Sequence, residues 1–273
     1  MPEMKKILVT GGAGFIGSNF IRHILNKYDD YTIVNLDKLT YCGNLDNLKD
    51  ISKNRRYKFV KGDIVDAKVV EKAAKSCEVI VNFAAETHVD RSIHGAAEFV
   101  RTNIFGTHTL LEVAKKLKTR LYIQISTDEV FGSISEGSFK EDDPLSPNSP
   151  YSSTKAGGDL LARSYFTTYK LPVIITRSSN NFGPYQYPEK VIPLFITNLL
   201  QNKKVPLYAD GMNVRDWLYV IDNCEAIDLI LRKGRAGEIY NIGGTAEITN
   251  LELTYNILEM LGKDERSIKY VKD

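Results

Sequence analysis

Tyr151 and Lys155 stand four residues apart in "YSSTK", and Thr127, Asp128 and Glu129 are consecutive in "STDEVFG". On a helix, positions i and i+4 share a face, so a phenol and an ammonium at this spacing lie together. A phenol near its ordinary pKa of about 10 is a poor base at neutral pH. A neighbouring ammonium and a bound cationic ring stabilise the phenolate, after which the tyrosine can take an alcohol proton while hydride leaves the same carbon. The two acids follow an apolar run, "LYIQI", where packing gives no reason for charge. Adjacent carboxyls push each other's pKa values apart, which suits one proton donor and one proton acceptor. The plainer reading of "STDE" is a solvated acidic loop, and Y-x-x-x-K alone occurs by chance. Their pairing after a strand end weighs against both.

Near the N-terminus, "VTGGAGFIGS" carries Gly12-x-Gly14-x-x-Gly17 with Gly11 in front. It follows a β-branched run and opens an amphipathic one. Glycines there let the backbone turn tightly and approach a pyrophosphate, and the following helix N-terminus offers free N–H groups and positive potential. Asp37 ends the second apolar run twenty residues past Gly17. A carboxylate at that place accepts hydrogen bonds from a ribose 2′-OH and repels a 2′-phosphate, which favours NAD over NADP. Lys38 beside it is a cation that a 2′-phosphate could use. Asp63 closes "KFVKGD", where an adenine edge would lie, although Asp is also an ordinary strand-ending residue. Ala84 and Ala85 in "FAAETH" are small enough to let a dinucleotide pass close to the backbone.

These residues need a scaffold, and the rest of the chain supplies one. "KKILVT", "YTIVNLD", "YKFVKGD", "VIVNFAA", "LYIQIS" and "LPVIITRS" read as strands. Between them lie helical segments: "FIGSNFIRHILNKY", "DAKVVEKAAKS", "AAEFVRTNIFGTHTLLEVAKKL" and "YSSTKAGGDLLARSYFTTY". Such alternation, with nearly continuous apolar strands, means a parallel sheet covered on both faces and doubly wound by right-handed crossovers. The expectation is an α/β chain: an NAD-binding Rossmann domain over 1–178 and a smaller, mostly helical substrate domain over 179–273, interleaved where "GEIYNIGG" returns to the main sheet. Beyond Arg177, helices are expected in "VIPLFITNLLQN", in "DNCEAIDLILRK" with Asp222 as N-cap, and in "TNLELTYNILEML" with Thr249 and Glu252 in capping-box spacing.

The 36 basic and 34 acidic residues nearly balance, so bulk charge argues for neither a nucleic-acid nor a membrane-surface role. Cys42, Cys77 and Cys224 are far apart and fit neither a zinc nor a disulfide pattern. Reduced thiols in a cytoplasm are expected. No signal-peptide core follows "MPEMKK", no apolar run reaches the length of a membrane span, and His23, His88, His94 and His108 make no metal pattern.

The Gly-rich turn, "STDE" and "YSSTK" together resemble the extended short-chain dehydrogenase/reductase superfamily. Within it, "LDKLTYCGN", "AAETHVDRS", "STDEVFG", "SPYSSTK", "SNNFGPYQYPEK" and "NVRDWLYV" resemble the dTDP-glucose 4,6-dehydratases, over nearly the whole chain. The resemblance implies three linked steps on a nucleotide sugar: hydride leaves C4 for NAD+, water is lost across C5 and C6, and hydride returns to C6. It implies Tyr151 as base, Lys155 tuning it, Thr127 on the C4 hydroxyl, Asp128 as acid for the C6 hydroxyl and Glu129 as base for C5–H. Cofactor contacts are implied for Gly11, Gly14, Phe15, Ile16 and Gly17, for Asp37, Lys38, Leu39 and Thr40, and for Asp63, Ile64, Ala84, Ala85, Thr102 and Asn181.

On the substrate side it implies His88, Asn180, Lys190 and Val191, with Lys190 and Arg215 as diphosphate partners. "VPLY", holding Pro206, Leu207 and Tyr208, would lie along the base, and Asn250 is a further contact. Taken singly, His88 reads as a packed or surface histidine, and Lys190 or Arg215 as a solvated charge. Phe131 stands where the family often has Tyr, which packing should tolerate. The chain ends at "IKYVKD", where the family's Arg-Pro-Gly-His-Asp segment would follow, so weakened substrate binding is expected. The partners implied are dTDP-glucose and a second copy of the chain, a homodimer through the helices around "AEFVRTNIFGTHTLLEVAKK" and "YSSTKAGGDLLARSYFTTY". The alternatives are a dehydratase or epimerase of another, UDP-linked sugar, and a catalytically weak NAD-binding fragment.

Overall fold

The computed structural model describes residues 5–134 and 136–272; residues 1–4 of "MPEMKK" and Asp273 of "IKYVKD" lie outside the described residues. The first half alternates strand and helix: β1 Lys5–Thr10, α1 Phe15–Lys27, β2 Tyr31–Asp37, β3 Tyr57–Lys61, α2 Ala67–Ala74, β4 Val79–Asn82, then the short α3 Val89–His94. A long helix follows in three parts, α4 Ala97–Phe99, a π-helical turn Val100–Gly106 and α5 Thr107–Leu117. Strand β5 Leu121–Thr127 runs into a 3-10 turn, Asp128–Phe131, and α6 Pro150–Tyr169 leads to β6 Val173–Ser178. The remainder is β7 Asn180–Phe182, α7 Val191–Leu200, β8 Val205–Tyr208, β9 Val214–Tyr219, α8 Val220–Lys233, β10 Ile239–Ile242, β11 Glu247–Thr249, α9 Asn250–Met260 and β12 Ile268–Val271.

Seven strands form one parallel sheet in the order β10-β6-β5-β4-β1-β2-β3. Successive side chains on a strand point to opposite faces, and the two cores divide accordingly. Ile7, Val9, Val79, Val81, Ile123 and Ile174 pack on one face with α1 and α8; Leu8, Ile80, Tyr122, Val173 and Ile175 pack on the other with α2, α5 and α6. Both faces are covered, which is why these strands read as continuous apolar runs. The strand order reverses between β1 and β4, and a ligand crevice is expected outside the carboxyl ends of the strands there.

The chain beyond 178 contributes to both layers. Strand β10 pairs with β6, and α8 packs Cys224, Ile227 and Leu231 against the first core. The rest surrounds a separate small core of Phe195, Leu199, Val205, Leu207, Trp217, Leu253, Ile257, Leu258 and Ile268. Beside α7 and α9 it carries a three-stranded sheet, β11-β9-β7, and the pair β12-β8. The sequence pattern does not single out these strands, because they are three to six residues long.

Local caps follow the sequence with one exception. Thr249 and Glu252 form the expected capping box at α9, and Ser149 with Ser152 forms another at α6. Asp222 is not an N-cap: α8 starts two residues earlier, after Tyr219, and Asp222 lies in its first turn. There the carboxylate complements the helix dipole instead of closing a hydrogen bond.

Candidate active site

A cavity of about 350 Å³ opens at the carboxyl ends of β1, β2, β4 and β5 and runs to the small second core. Its floor begins at the Gly-rich turn. Gly11 has φ +67°, a left-handed conformation, and a Cβ there would lie 2.6 Å from the backbone nitrogen of Ala84. A Cβ on Gly17 would lie 2.5 Å from the Gly11 carbonyl oxygen. Both glycines are therefore demanded by close backbone approach. No side chain caps α1, whose first turn, Gly14 to Gly17, lines the cavity with its N–H groups.

Asp37 ends β2 at the cavity wall. Its Oδ2 accepts the Ala13 N–H at 2.9 Å and its Oδ1 accepts the Leu39 N–H at 2.8 Å. Burial pushes its pKa up, and these two N–H groups act against that. The Lys38 ammonium is ion-paired with Asp63 at 2.9 Å, and Arg101 reaches the same carboxylate at 2.8 Å. Lys38 is thus already engaged. Thr40, Ile64, Ala84, Ala85 and Thr102 line the same stretch of wall, whereas Leu39 turns its side chain into the first core.

An uncapped helix N-terminus over glycines, with a held carboxylate at the second strand end, fits a dinucleotide. On the far side, the Ser126 and Ser179 hydroxyls and the Trp217 indole N–H are buried with no hydrogen-bond partner among the described residues, and all three line the cavity. Such orphaned polar groups fit a polar ring or amide bound there. Asn181 is held by Asn223, which donates to its Oδ1 at 2.8 Å.

The reacting groups meet where β5 ends. Thr127 is the N-cap of the 3-10 turn: its hydroxyl accepts the Glu129 N–H at 3.3 Å and donates to the Asp128 carboxylate at 3.2 Å. Beneath the turn, Val130 and Phe131 pack on Ala156, Phe139 and Leu145. The Phe131 ring stacks on Phe139 with centroids 4.8 Å apart, so phenylalanine serves there by packing. Burial, and then the neighbouring Glu129 charge, push Asp128 up to about 6. Burial also raises Glu129, but Lys190 and Arg215 oppose that by favouring its ionised form. The two carboxyls share a turn and differ in charged surroundings.

Tyr151 and Lys155 project from α6 into the same space, both buried. Lys155 is anchored on the backbone beside Tyr151. Its Nζ donates to the Ile125 carbonyl at 2.6 Å, and burial pushes its pKa down to about 8 while Asp159 resists. Burial and then Glu129 raise the Tyr151 phenol, with Thr127 opposing. The protein's own groups therefore hold Tyr151 neutral. Asp159, one turn beyond Lys155, is a site neighbour that the motifs do not flag.

Thr127, Glu129, Tyr151, Lys155, Asn180, Asn181, Lys190 and Val191 all line the cavity. Asp128 is in the same turn without lining it. His88 does not line it either. It caps α3, accepting the Arg91 N–H at 3.4 Å, while its neighbour Thr87 takes the cavity position and accepts Lys190 Nζ on its carbonyl at 3.0 Å. The Leu207 side chain is buried in the second core, which leaves only its backbone for a ligand. Pro206, Tyr208, Arg215 and Asn250 stand outside the cavity wall. Arg215 donates to the Val214 carbonyl at 2.8 Å, and Asn250 opens α9. Glu86, Thr87, Tyr187 and Glu189 line the wall unforeseen; they lie within the quoted stretches "AAETHVDRS" and "SNNFGPYQYPEK", whose other residues were singled out.

A doubly wound sheet with this turn and a Tyr-Lys helix beside β5 defines an extended short-chain dehydrogenase/reductase. The family described as GDP-mannose 4,6 dehydratase matches residues 8–273. The low-salt glycan biosynthesis protein Agl12 of Haloferax volcanii is 55% identical over 98% of this chain and 86% of its own. The dTDP-glucose 4,6-dehydratase of Streptomyces niveus is 52% identical over 98% of this chain and 81% of its own. The crystal structure of the Streptomyces venezuelae dTDP-glucose 4,6-dehydratase, which has NAD bound, matches with a TM-score of 0.96 at 52% identity, covering 98% of this chain and 84% of that one. The chain belongs to this 4,6-dehydratase family.

Proposed function

We propose that the chain carries out the NAD-dependent dehydration of dTDP-glucose to dTDP-4-keto-6-deoxyglucose. One observation carries this reading: two carboxyls in unlike charged surroundings, Asp128 and Glu129, stand beside the Tyr151–Lys155 pair. A sugar epimerase of the same fold needs only the hydroxyl, the phenol and the ammonium. Elimination of water needs a proton donor and a proton acceptor besides.

NAD, which the Gly11–Gly17 turn and Asp37 would hold, would supply the hydride acceptor and donor. Thr127 fixes the C4 hydroxyl by hydrogen bonding and Tyr151 takes its proton. The 4-ketone then acidifies C5–H, which Glu129 removes. Asp128, whose pKa burial and the Glu129 charge raise to about 6, gives its proton to the departing C6 hydroxyl when protonated. Glu129 then gives a proton back to C5 as hydride would return to C6, which completes the 4-keto-6-deoxy sugar; Tyr151 serves only the oxygen at C4. Its position on the cavity wall near Glu129 supports reading Lys190 as a partner of the sugar diphosphate.

Dehydration of a GDP-linked sugar is the second reading, favoured by the wording of the family description. Among the described residues no helix is long and apolar enough to cross a membrane, and the three cysteines are free thiols, which supports a cytoplasmic enzyme. A homodimer is supported by exposed apolar side chains on the long helices: Val100 and Phe105 on one, Leu160 and Tyr169 on the other. The test is product analysis: incubation with dTDP-, UDP- and GDP-linked sugars, with the 4-keto-6-deoxy product expected from dTDP-glucose. No such product from dTDP-glucose, with the protein folded and loaded with NAD, would refute the reading.

A further inference from the structure

Lys155 and Asp159 lie one turn apart on one face of α6, at 6% and 1% exposure. Lys155 is fixed by a single hydrogen bond, to the Ile125 carbonyl at 2.6 Å. Asp159 is fixed from the other side. Its Oδ2 accepts from Arg177 Nε at 3.1 Å, and Arg177 in turn donates to the Glu141 carbonyl at 3.1 Å. The Arg177 guanidinium also sits 4.7 Å from the centre of the Phe131 ring, the last residue of the acid turn. Asp159 Oδ1 has no hydrogen-bond partner among the described residues.

A buried ion pair is weak evidence for a stabilising role, because desolvation of two charges offsets their attraction. A buried carboxylate with one oxygen unbonded is costlier still. Arg177 alone could be held by the Glu141 carbonyl and the Phe131 ring. What Asp159 adds is negative charge at the base of an ammonium that nothing else nearby neutralises. The charged and titratable groups around Lys155 are Tyr151 and Asp159 on α6, Asp128 and Glu129 in the turn after β5, and Arg177 on β6. Of these, Asp159 alone acts on Lys155, and it acts to keep the ammonium protonated against the pull of burial.

We propose that Asp159 is a positioning residue for the dehydratase reaction: clamped by Arg177, it keeps the Lys155 ammonium charged beneath the site where the sugar C4 hydroxyl is oxidised. The proposal rests on the function given above. Lys155 in its neutral form would no longer favour negative charge on the C4 oxygen or on Tyr151. Because burial lowers the Lys155 pKa, its protonated form is lost as pH rises. Removing Asp159 lowers that pKa further and brings the loss to lower pH.

The experiment is the pH profile of NADH formation and of turnover with dTDP-glucose, on NAD-loaded protein. In Asp159→Asn the alkaline limb should move down by about one pH unit, a tenfold loss at a fixed pH on that limb. Asp159→Glu should return the limb towards its original place. The double variant Asp159→Asn with Arg177→Gln does not leave the Arg177 charge without its partner, and should show the same downward shift should the single variant fold poorly. A folded variant in which activity falls by one factor at every pH, with the limb unmoved, would overturn the proposal and leave Asp159 a purely structural partner of Arg177. Wild-type protein that gives no keto sugar would instead refute the function on which it rests.

Discussion

The Thr127 hydroxyl donates to the Asp128 carboxylate at 3.2 Å while its oxygen accepts the Glu129 N–H at 3.3 Å. One β-strand end therefore orders both acids, and the residue that orders them is also the one proposed for the sugar hydroxyl. On that proposal oxidation and elimination share three consecutive residues.

The pH dependence of elimination follows from that arrangement. Asp128 titrates at about 6, above its ordinary value, so its proton-donating form is present below that pH and is lost above it. In single turnovers the elimination step should slow as pH rises through about 6, while NADH formation should not follow the same curve. Asp128→Asn should slow elimination by about 10² or more and abolish that limb. A limb that persists in Asp128→Asn would assign it to another group.

Asp37 is proposed to set the cofactor preference. With Lys38 and Arg101 both drawn to Asp63, neither is free to favour a 2′-phosphate beside Asp37. Asp37→Ala should weaken NAD binding and relax discrimination against NADP, because hydroxyl acceptors and phosphate repulsion are lost together. Calorimetric titration with each cofactor measures both; unchanged affinity and preference would remove Asp37 from the site.

The parts of this site that were legible in the sequence are those set by local spacing. The glycines, the alternation of apolar strands and helices, the Thr249–Glu252 box and the Tyr151–Lys155 face all follow from spacings of a few residues. The parts that were not legible depend on residues far apart in the chain. The Lys155 partner is the carbonyl of Ile125, thirty residues upstream, and backbone acceptors leave no mark in a sequence. Leu207 reads as a pocket residue in "VPLY", yet strand parity turns it into the second core. His88 and Thr87 differ by one position, and a short helix cap decides which of them meets the cavity. The π-helical turn at Val100–Gly106 puts Asn103 onto both backbone groups of Glu86, at 2.9 and 3.0 Å, with no pattern in "RTNIFG" to announce it.

A stability prediction concerns the junction of α1 and α8. Asp228 is fully buried and takes bonds from Lys27, Tyr28, Arg232 and His23. Against the cost of burial, these partners hold it down at about 2, below the value expected in the unfolded chain. A depressed carboxyl contributes stability that is full above the unfolded pKa and is lost as pH falls through the folded one. Asp228→Asn should cost about 2 kcal/mol at pH 7. The gap from wild type should close towards pH 2, as read from urea midpoints. An equal gap at both pH values would mean that shape, not charge, is what Asp228 supplies.

Association is tested on the long helices. Phe105 and Leu160 are more than half exposed on α4–α5 and α6. Phe105→Asp with Leu160→Asp should give the monomer mass by light scattering at micromolar protein, where the wild type gives twice that mass. A wild type that is already monomeric would refute the dimer.

The most direct test sets Glu129 against Tyr151. Glu129→Gln keeps the shape of the side chain but cannot take the C5 proton; Thr127, Tyr151 and Lys155 remain. On rapid mixing with dTDP-glucose it should build up enzyme-bound NADH and the 4-keto sugar, with little solvent deuterium entering at C5. Tyr151→Phe should stop earlier and form almost no NADH. Normal turnover by Glu129→Gln, or failure of both variants before any NADH appears while substrate binding is intact, would contradict the assignment of the "STDE" carboxyls to elimination.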